Sequence, residues 1–159
     1  MRLAEAEAMM ERPTQQLAGA RFRGLTIIWG AQFFSLLMFY GLTRLAPVGE
    51  RAGGDRTLPL ALAAIALTAF AASFFVKSML VARAVATRRP EAVTSGYIVA
   101  FALCEACALM GLVAHFTTGA REAIYFFAAA ALGFLLHFPR RRHFEESAGD
   151  AGQNFDAII

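Results

Sequence analysis

The sequence predicts an all-α integral membrane protein with four transmembrane helices. Three observations carry this. Hydrophobic residues make up 58% of the 159 and the mean hydropathy is +0.52, while charged residues are only 17%, against about 25% in soluble domains. Four separate apolar runs interrupt the chain, each close to the roughly 20 residues a helix needs to cross about 30 Å of hydrocarbon. Most arginines stand at the ends of these runs, where they act as topology signals.

The spans are expected at residues 24–42, 58–80, 96–118 and 123–138. A cytoplasmic N-terminal segment, 1–23, precedes this four-helix domain (24–138), and a cytoplasmic polar tail, 139–159, follows it. The N-terminal segment carries Glu5, Glu7 and Glu11, which do not fit the basic start of a secretory signal. Its alanine and glutamate content predicts a helix that Pro13 interrupts. In the first span Trp29 and Tyr40 fall near opposite ends, as aromatic belts do. Gln32 is its one strongly polar interior residue and is expected to hydrogen-bond to another helix.

A loop of proline, glycine and charge, 45–57, leads to the alanine-rich second span. Small residues at Ala61, Ala64, Thr68 and Ala72, with Ala69 and Ser73 on a neighbouring face, permit close approach by another helix, in this chain or a neighbour. Lys77 and Arg83 near its end can snorkel to headgroups. The fourth span is short and suffices only if it stands nearly upright. Pro139 and Arg140 to Arg142 stop it, and the tail reads as polar and loosely held.

Orientation follows from lysine and arginine placement. With the N-terminus inside, eleven lie on the inner side and four, Arg44, Arg51, Arg56 and Arg121, on the outer. Both termini are therefore expected in the cytoplasm, with the protein in the inner (plasma) membrane. The net charge of +3 and pI near 9.3 do not point to nucleic acid, because no basic stripe with interleaved aromatics is present.

The third span, GYIVAFALCEACALMGLVAHFTT, carries the chemistry. Its single carboxylate, Glu105, falls near the bilayer midplane. An ionised carboxylate there costs on the order of 3 kcal/mol. Such a group either has work to do or is neutral and buried against a partner helix. Cys104 and Cys107 share the same run without the helix N-terminus that lowers a thiol pKa, and read as small buried side chains. His115 and His137 are placed near opposite leaflets, so a shared haem iron is not expected. His143 reads as a solvated residue of the basic flank. No metal ligand set converges, no cofactor is implied, and no phosphate loop, nucleotide fingerprint or nucleophile elbow is present. An enzyme is not expected.

The stretch from Leu58 to Thr118 resembles the helical hairpin of ATP synthase subunit c, the rotor-ring proteolipid. The likeness rests on FALCEACALMGLVAHF, with small and apolar residues around a glutamate followed by alanine, on the loop Arg88-Arg89-Pro90, and on the small-residue packing of the preceding helix. It covers about 60 residues, and two further spans flank it. The resemblance implies reversible protonation of Glu105, proton translocation, and a homo-oligomer or another membrane subunit that supplies an arginine. Cys104, Ala106 and Cys107 give no oxygen shell for a hard cation, so the implied ion is the proton. Folding the hairpin about Arg89 and Pro90 sets Ser73 opposite Glu105 as its hydrogen-bond partner. The alternative is a small structural or interaction membrane protein in which Glu105 stays neutral and packs helices.

Overall fold

The computed structural model describes residues 2–46, 57–87, 89–119 and 122–148. Most of the 45–57 loop, Arg88 and the tail beyond Ala148 lie outside the described residues. Every described element is a helix: α1 (Arg2–Leu45), α2 (Thr57–Thr87), α3 (Pro90–Thr118), α4 (Ala123–Leu136) and α5 (Arg141–Ala148). Three of them contain stretches long and apolar enough to cross a bilayer, Gly19–Leu45, Thr57–Thr87 and Glu91–Thr118. The fourth apolar helix, α4, has 14 residues, or about 21 Å at 1.5 Å per residue.

The exterior is apolar. Ile27 is 72% exposed, Leu67 69% and Phe75 69%, a surface that water would penalise and hydrocarbon accepts. Inside, α3 is the hub. Its most apolar stretch is 44% buried, against 11% in α1 and 17% in α2, and it packs on all four other helices. No contact joins α1 to α2 among the described residues.

Side-chain contacts fix the register. Arg21 meets Glu91, Ser35 meets Glu105, and Ala46 meets His115, so α1 and α3 run parallel with a nearly constant offset. Helices α2 and α3 form an antiparallel hairpin, in which the Cys107 thiol donates to the Ala66 carbonyl at 3.2 Å. Helix α4 returns antiparallel to α3, with Phe101 and Phe134 stacked at 5.8 Å.

The α3–α4 seam depends on two glycines. A Cβ on Gly133 would sit 2.6 Å from Cys104 Sγ, and one on Gly111 would sit 2.7 Å from Phe126 Cβ. Both distances are inside van der Waals contact, so the helices approach as closely as they do only because a side chain is absent.

Three sequence expectations are corrected. Helix α1 runs through Pro13 without a break; proline removes one backbone donor, and the turns on either side keep theirs. Helix α4 stops at Leu136, two residues short of the expected span. Pro139 biases the residue before it away from helical geometry, and the Phe138 N–H reaches Leu135 O at 3.3 Å rather than continuing the ladder. Finally, 141–148 is not loosely held. It forms α5, and Phe144 is fully buried, stacked on Tyr97 at 6.4 Å and edge-on to Phe22 at 6.5 Å.

Gly133→Ala is expected to lower stability in detergent by about 1–3 kcal/mol through overpacking. Gly30→Ala, where an added Cβ meets nothing within 4 Å, is the control and is expected to be neutral or slightly stabilising. Thermal unfolding of the two variants side by side makes the comparison.

Candidate functional site

Two polar clusters interrupt the apolar interior, and α3 contributes to both. The first surrounds Glu105. One turn of α1 presents Gln32 and Ser35 on the side that faces α3, because residues three apart share a helix face. The Ser35 hydroxyl lies 3.0 Å from Glu105 Oε1, and Gln32 Nε2 lies 3.5 Å from Glu105 Oε2. The same hydroxyl lies 2.9 Å from the Gln32 main-chain carbonyl. Glu105 is half-buried, and no cation pairs with it among the described residues.

Counting hydrogens shows what this arrangement can hold. Ser35 has one hydroxyl hydrogen and two oxygens beside it. The Gln32 carbonyl can only accept. With the carboxyl protonated, its O–H donates to Ser35 Oγ, Ser35 donates to the Gln32 carbonyl, and the Gln32 amide donates back to the other carboxyl oxygen. The hydroxyl hydrogen, the acid proton and one of the two Gln32 amide hydrogens then each have an acceptor. With the carboxyl ionised, Ser35 must turn its hydrogen away from the main chain. Gln32 Oε1 is buried and has no partner. An amide turned end for end would offer that oxygen to the acid proton as well.

The second cluster lies at the C-terminal end of α4. His137, the residue after α4, is fully buried. Lys77 Nζ donates to its Nδ1 at 3.1 Å, and its Nε2 lies 2.9 Å from Ser73 Oγ. Ser73 in turn donates to the Phe70 carbonyl at 2.6 Å. An ammonium cannot accept, so Nδ1 is bare and Nε2 carries the hydrogen that reaches Ser73. The Lys77 ammonium also lies 5.0 Å from the centre of the Tyr97 ring, a cation–π contact. The Tyr97 hydroxyl lies 2.8 Å from His143 Nδ1, within hydrogen-bond reach, and accepts from the Arg140 N–H at 3.2 Å. One phenol thus ties α3 to α5 and to the turn before it.

The structure gives Gln32 the inter-helix hydrogen bond expected of it, and the partner, which the sequence did not indicate, is Glu105. It does not bring Glu105 to Ser73. The hairpin register sets Ser73 against Cys104 and His137, one residue away from the expected pairing. One residue is about 100° around a helix, enough to turn Glu105 from α2 toward α1. Arg89 caps α3 in an extended conformation and Pro90 is its first residue, the position where a missing N–H does no harm. Arg88 lies outside the described residues. Beside this loop, Arg21 and Glu91 form an exposed ion pair at 2.8 Å, which solvent screens.

Two further residues depart from their sequence reading. His143 is not a free surface residue, since it bonds to Tyr97. Trp29 is not only a belt residue: its indole N–H donates to the Phe134 carbonyl at 2.9 Å, a helix-end acceptor left open when α4 stops. His115 and His137 do lie at opposite ends of the bundle, the former 3.4 Å from Ala46 O. Cys104 and Cys107 are both free and buried.

The chain matches no protein-family model, no curated protein and no solved structure. Sequence reading missed Ser35, because a serine on a span has no signal of its own. It also missed the Lys77–His137 contact, although both residues were placed at the same end of their spans.

Tyr97→Phe removes the hydroxyl shared by His143 and Arg140. It is expected to cost about 1 kcal/mol and to speed amide hydrogen exchange across 141–148. Tyr125→Phe, at a side chain 71% exposed, should leave exchange there unchanged.

Proposed function

We propose that this is a non-catalytic multi-pass membrane protein in which Glu105, in its neutral form, fastens α3 to α1. The observation that carries this reading is the closed ring of Glu105, Ser35 and Gln32. The carboxyl finds its partners within its own chain, on a helix outside the subunit c-like hairpin. A neutral acid so satisfied costs little in hydrocarbon, whereas an ion without a cation would cost several kcal/mol. The protein's work on this reading is structural, as a packed bundle for a larger membrane assembly. The outward face of α2, with Ala61, Ala64 and Thr68 exposed, suits a second copy or another subunit.

A second reading has its own support. Both donors of the ring, the Ser35 hydroxyl and the Gln32 amide, can point at an ionised carboxylate as readily as they close the ring on an acid. Glu105 would then bind and release a proton, as its likeness to the proteolipid glutamate implies. The arginine that receives the carboxylate in that scheme would come from a neighbouring subunit.

In both readings the chain sits in the plasma membrane with its termini in the cytoplasm, by the eleven-to-four distribution of positive residues. Helix α4 serves as a fourth span by standing upright and locally thinning the bilayer. Reporter fusions at Pro90 and Ile159 should then report cytoplasm, and a fusion at Gly53 the outer side. A periplasmic signal from Pro90 would reverse the orientation.

Glu105→Gln and Glu105→Leu separate the two readings. For a neutral fastening, Gln should preserve stability, because an amide still donates and accepts, while Leu should cost on the order of 1 kcal/mol. For a proton carrier, Gln should abolish proton flux into proteoliposomes, and carbodiimide labelling of the wild type should fall as pH rises. Equal flux in wild type and Glu105→Gln at matched expression would leave only the structural reading.

A further inference from the structure

Lys77 poses a problem that its neighbours do not solve. It is half-buried on α2, and its contacts are a neutral imidazole nitrogen and an aromatic face. Neither carries a formal negative charge. The ammonium also has a third N–H to place. Rather than snorkel along the helix, the side chain is held inward by His137 and Tyr97, beside a groove of about 680 Å³ between α2 and the start of α5.

Arg140 and His143 form the other wall of that groove, and Val81 and Val85 its apolar side. Arg140 is exposed, and no ion pair occupies its guanidinium among the described residues. Among the described residues no carboxylate lines the groove. Two cations without a counter-charge thus converge at one end of the bundle, where a bilayer changes from hydrocarbon to headgroups.

We infer that this groove binds one acidic glycerophospholipid, its phosphodiester held between Lys77 and Arg140 and its acyl chains lying along α2. The two positive side chains select an anion. The apolar walls select an amphiphile over a hydrated free ion, which would lose water against Val81 and Val85 without compensation. Continuity with the lipid-facing surface supplies the acyl path. Phe74, one turn nearer the middle of the span on the Lys77 face, is 36% exposed, and Phe75 beside it 69%. The inference does not depend on the role of Glu105.

The occupied site would complete the cluster behind it. A phosphate oxygen on Lys77 neutralises the charge that His137 and Tyr97 leave unpaired, and Arg140, in the turn that links α4 to α5, is held against α2. Lipid binding would therefore steady α5 against the rest of the bundle.

Native mass spectrometry of the full chain, released from nanodiscs of equal parts phosphatidylglycerol and phosphatidylcholine, tests this. Wild type should retain one phosphatidylglycerol in preference to phosphatidylcholine. Arg140→Gln, at an exposed side chain, should reduce that preference about fivefold, the effect of one positive charge near a membrane surface. Lys77→Gln, which keeps a donor for His137, should do the same. Arg83→Gln removes an equal charge from the exposed face of α2 outside the groove and should change nothing. No preference in wild type, or an equal loss in Arg83→Gln, would overturn the inference. So would displacement of the retained lipid by millimolar inorganic phosphate, since the site would then be one for a soluble anion.

Discussion

Hydrocarbon offers no hydrogen bonds, so a polar side chain that α3 carries into the bundle must bond back to its own helix, as Ser95 and Thr118 do, or find a partner on another helix. That constraint shapes the rest of the architecture. Glu105 turns to Ser35 and Gln32 on α1, Cys107 to the Ala66 carbonyl on α2, and Tyr97 to His143 on α5. Three partners on three helices place α3 at the centre. Apolar packing alone would not do this, since lipid tails compete equally for an apolar face. The polar contacts choose which helices meet, and the close seams, such as Gly133 against Cys104, then set how near they come.

The end of α4 shows how a local break becomes a site. Pro139 stops the helix early, and the carbonyls of its last turn need new donors. The Trp29 indole supplies one and the Phe138 N–H another by a tighter turn, while the His137 N–H makes the last regular helical bond, to Gly133 O. The same break swings His137 inward between Ser73 and Lys77 rather than out toward headgroups. It also brings Arg140 alongside Tyr97 and allows α5 to fold back over the bundle, where Phe144 is buried. A longer α4 would cross more of the bilayer but would carry His137 and Arg140 out of reach of Lys77.

Much of this was legible in the residues themselves. The apolar runs located the three long membrane helices, because hydropathy over about 20 residues is a strong signal. Gln32 stood out as polar in an apolar span, and its partner proved to be Glu105. Folding the hairpin about Pro90 gave nearly the right register, yet Ser73 fell against Cys104 and His137. A helix side chain changes direction by about 100° per residue, so an error of one position sends a contact to a different helix. Helix α5 left a weaker trace. Eight residues hold little more than two turns, too few for a periodic pattern to separate from a charged tail. Pro13 misled in the opposite sense, because a proline marks a break only where the backbone yields to it.

The parallel register of α1 and α3 bears most directly on what Glu105 can do. In a site built for rapid proton exchange, the carboxyl is best left facing water or a mobile partner, with few bonds to break on release. Here its two oxygens are bound to two side chains one turn apart on a neighbouring helix, and that helix is tied to α3 again at Arg21–Glu91 and at Ala46–His115. Ionisation would move little, since only the Ser35 hydrogen turns from the Gln32 carbonyl, but it would leave an ion without a cation at a cost of several kcal/mol. Moving the carboxylate to a partner outside the chain requires more: α3 must rotate away from α1 while both ends of the helix pair stay fastened. The first change lies within the reach of a side chain, and the second needs a bundle that can repack. The geometry thus accommodates proton binding more readily than proton transport, and it is the α1–α3 seam rather than the carboxyl itself that separates the two.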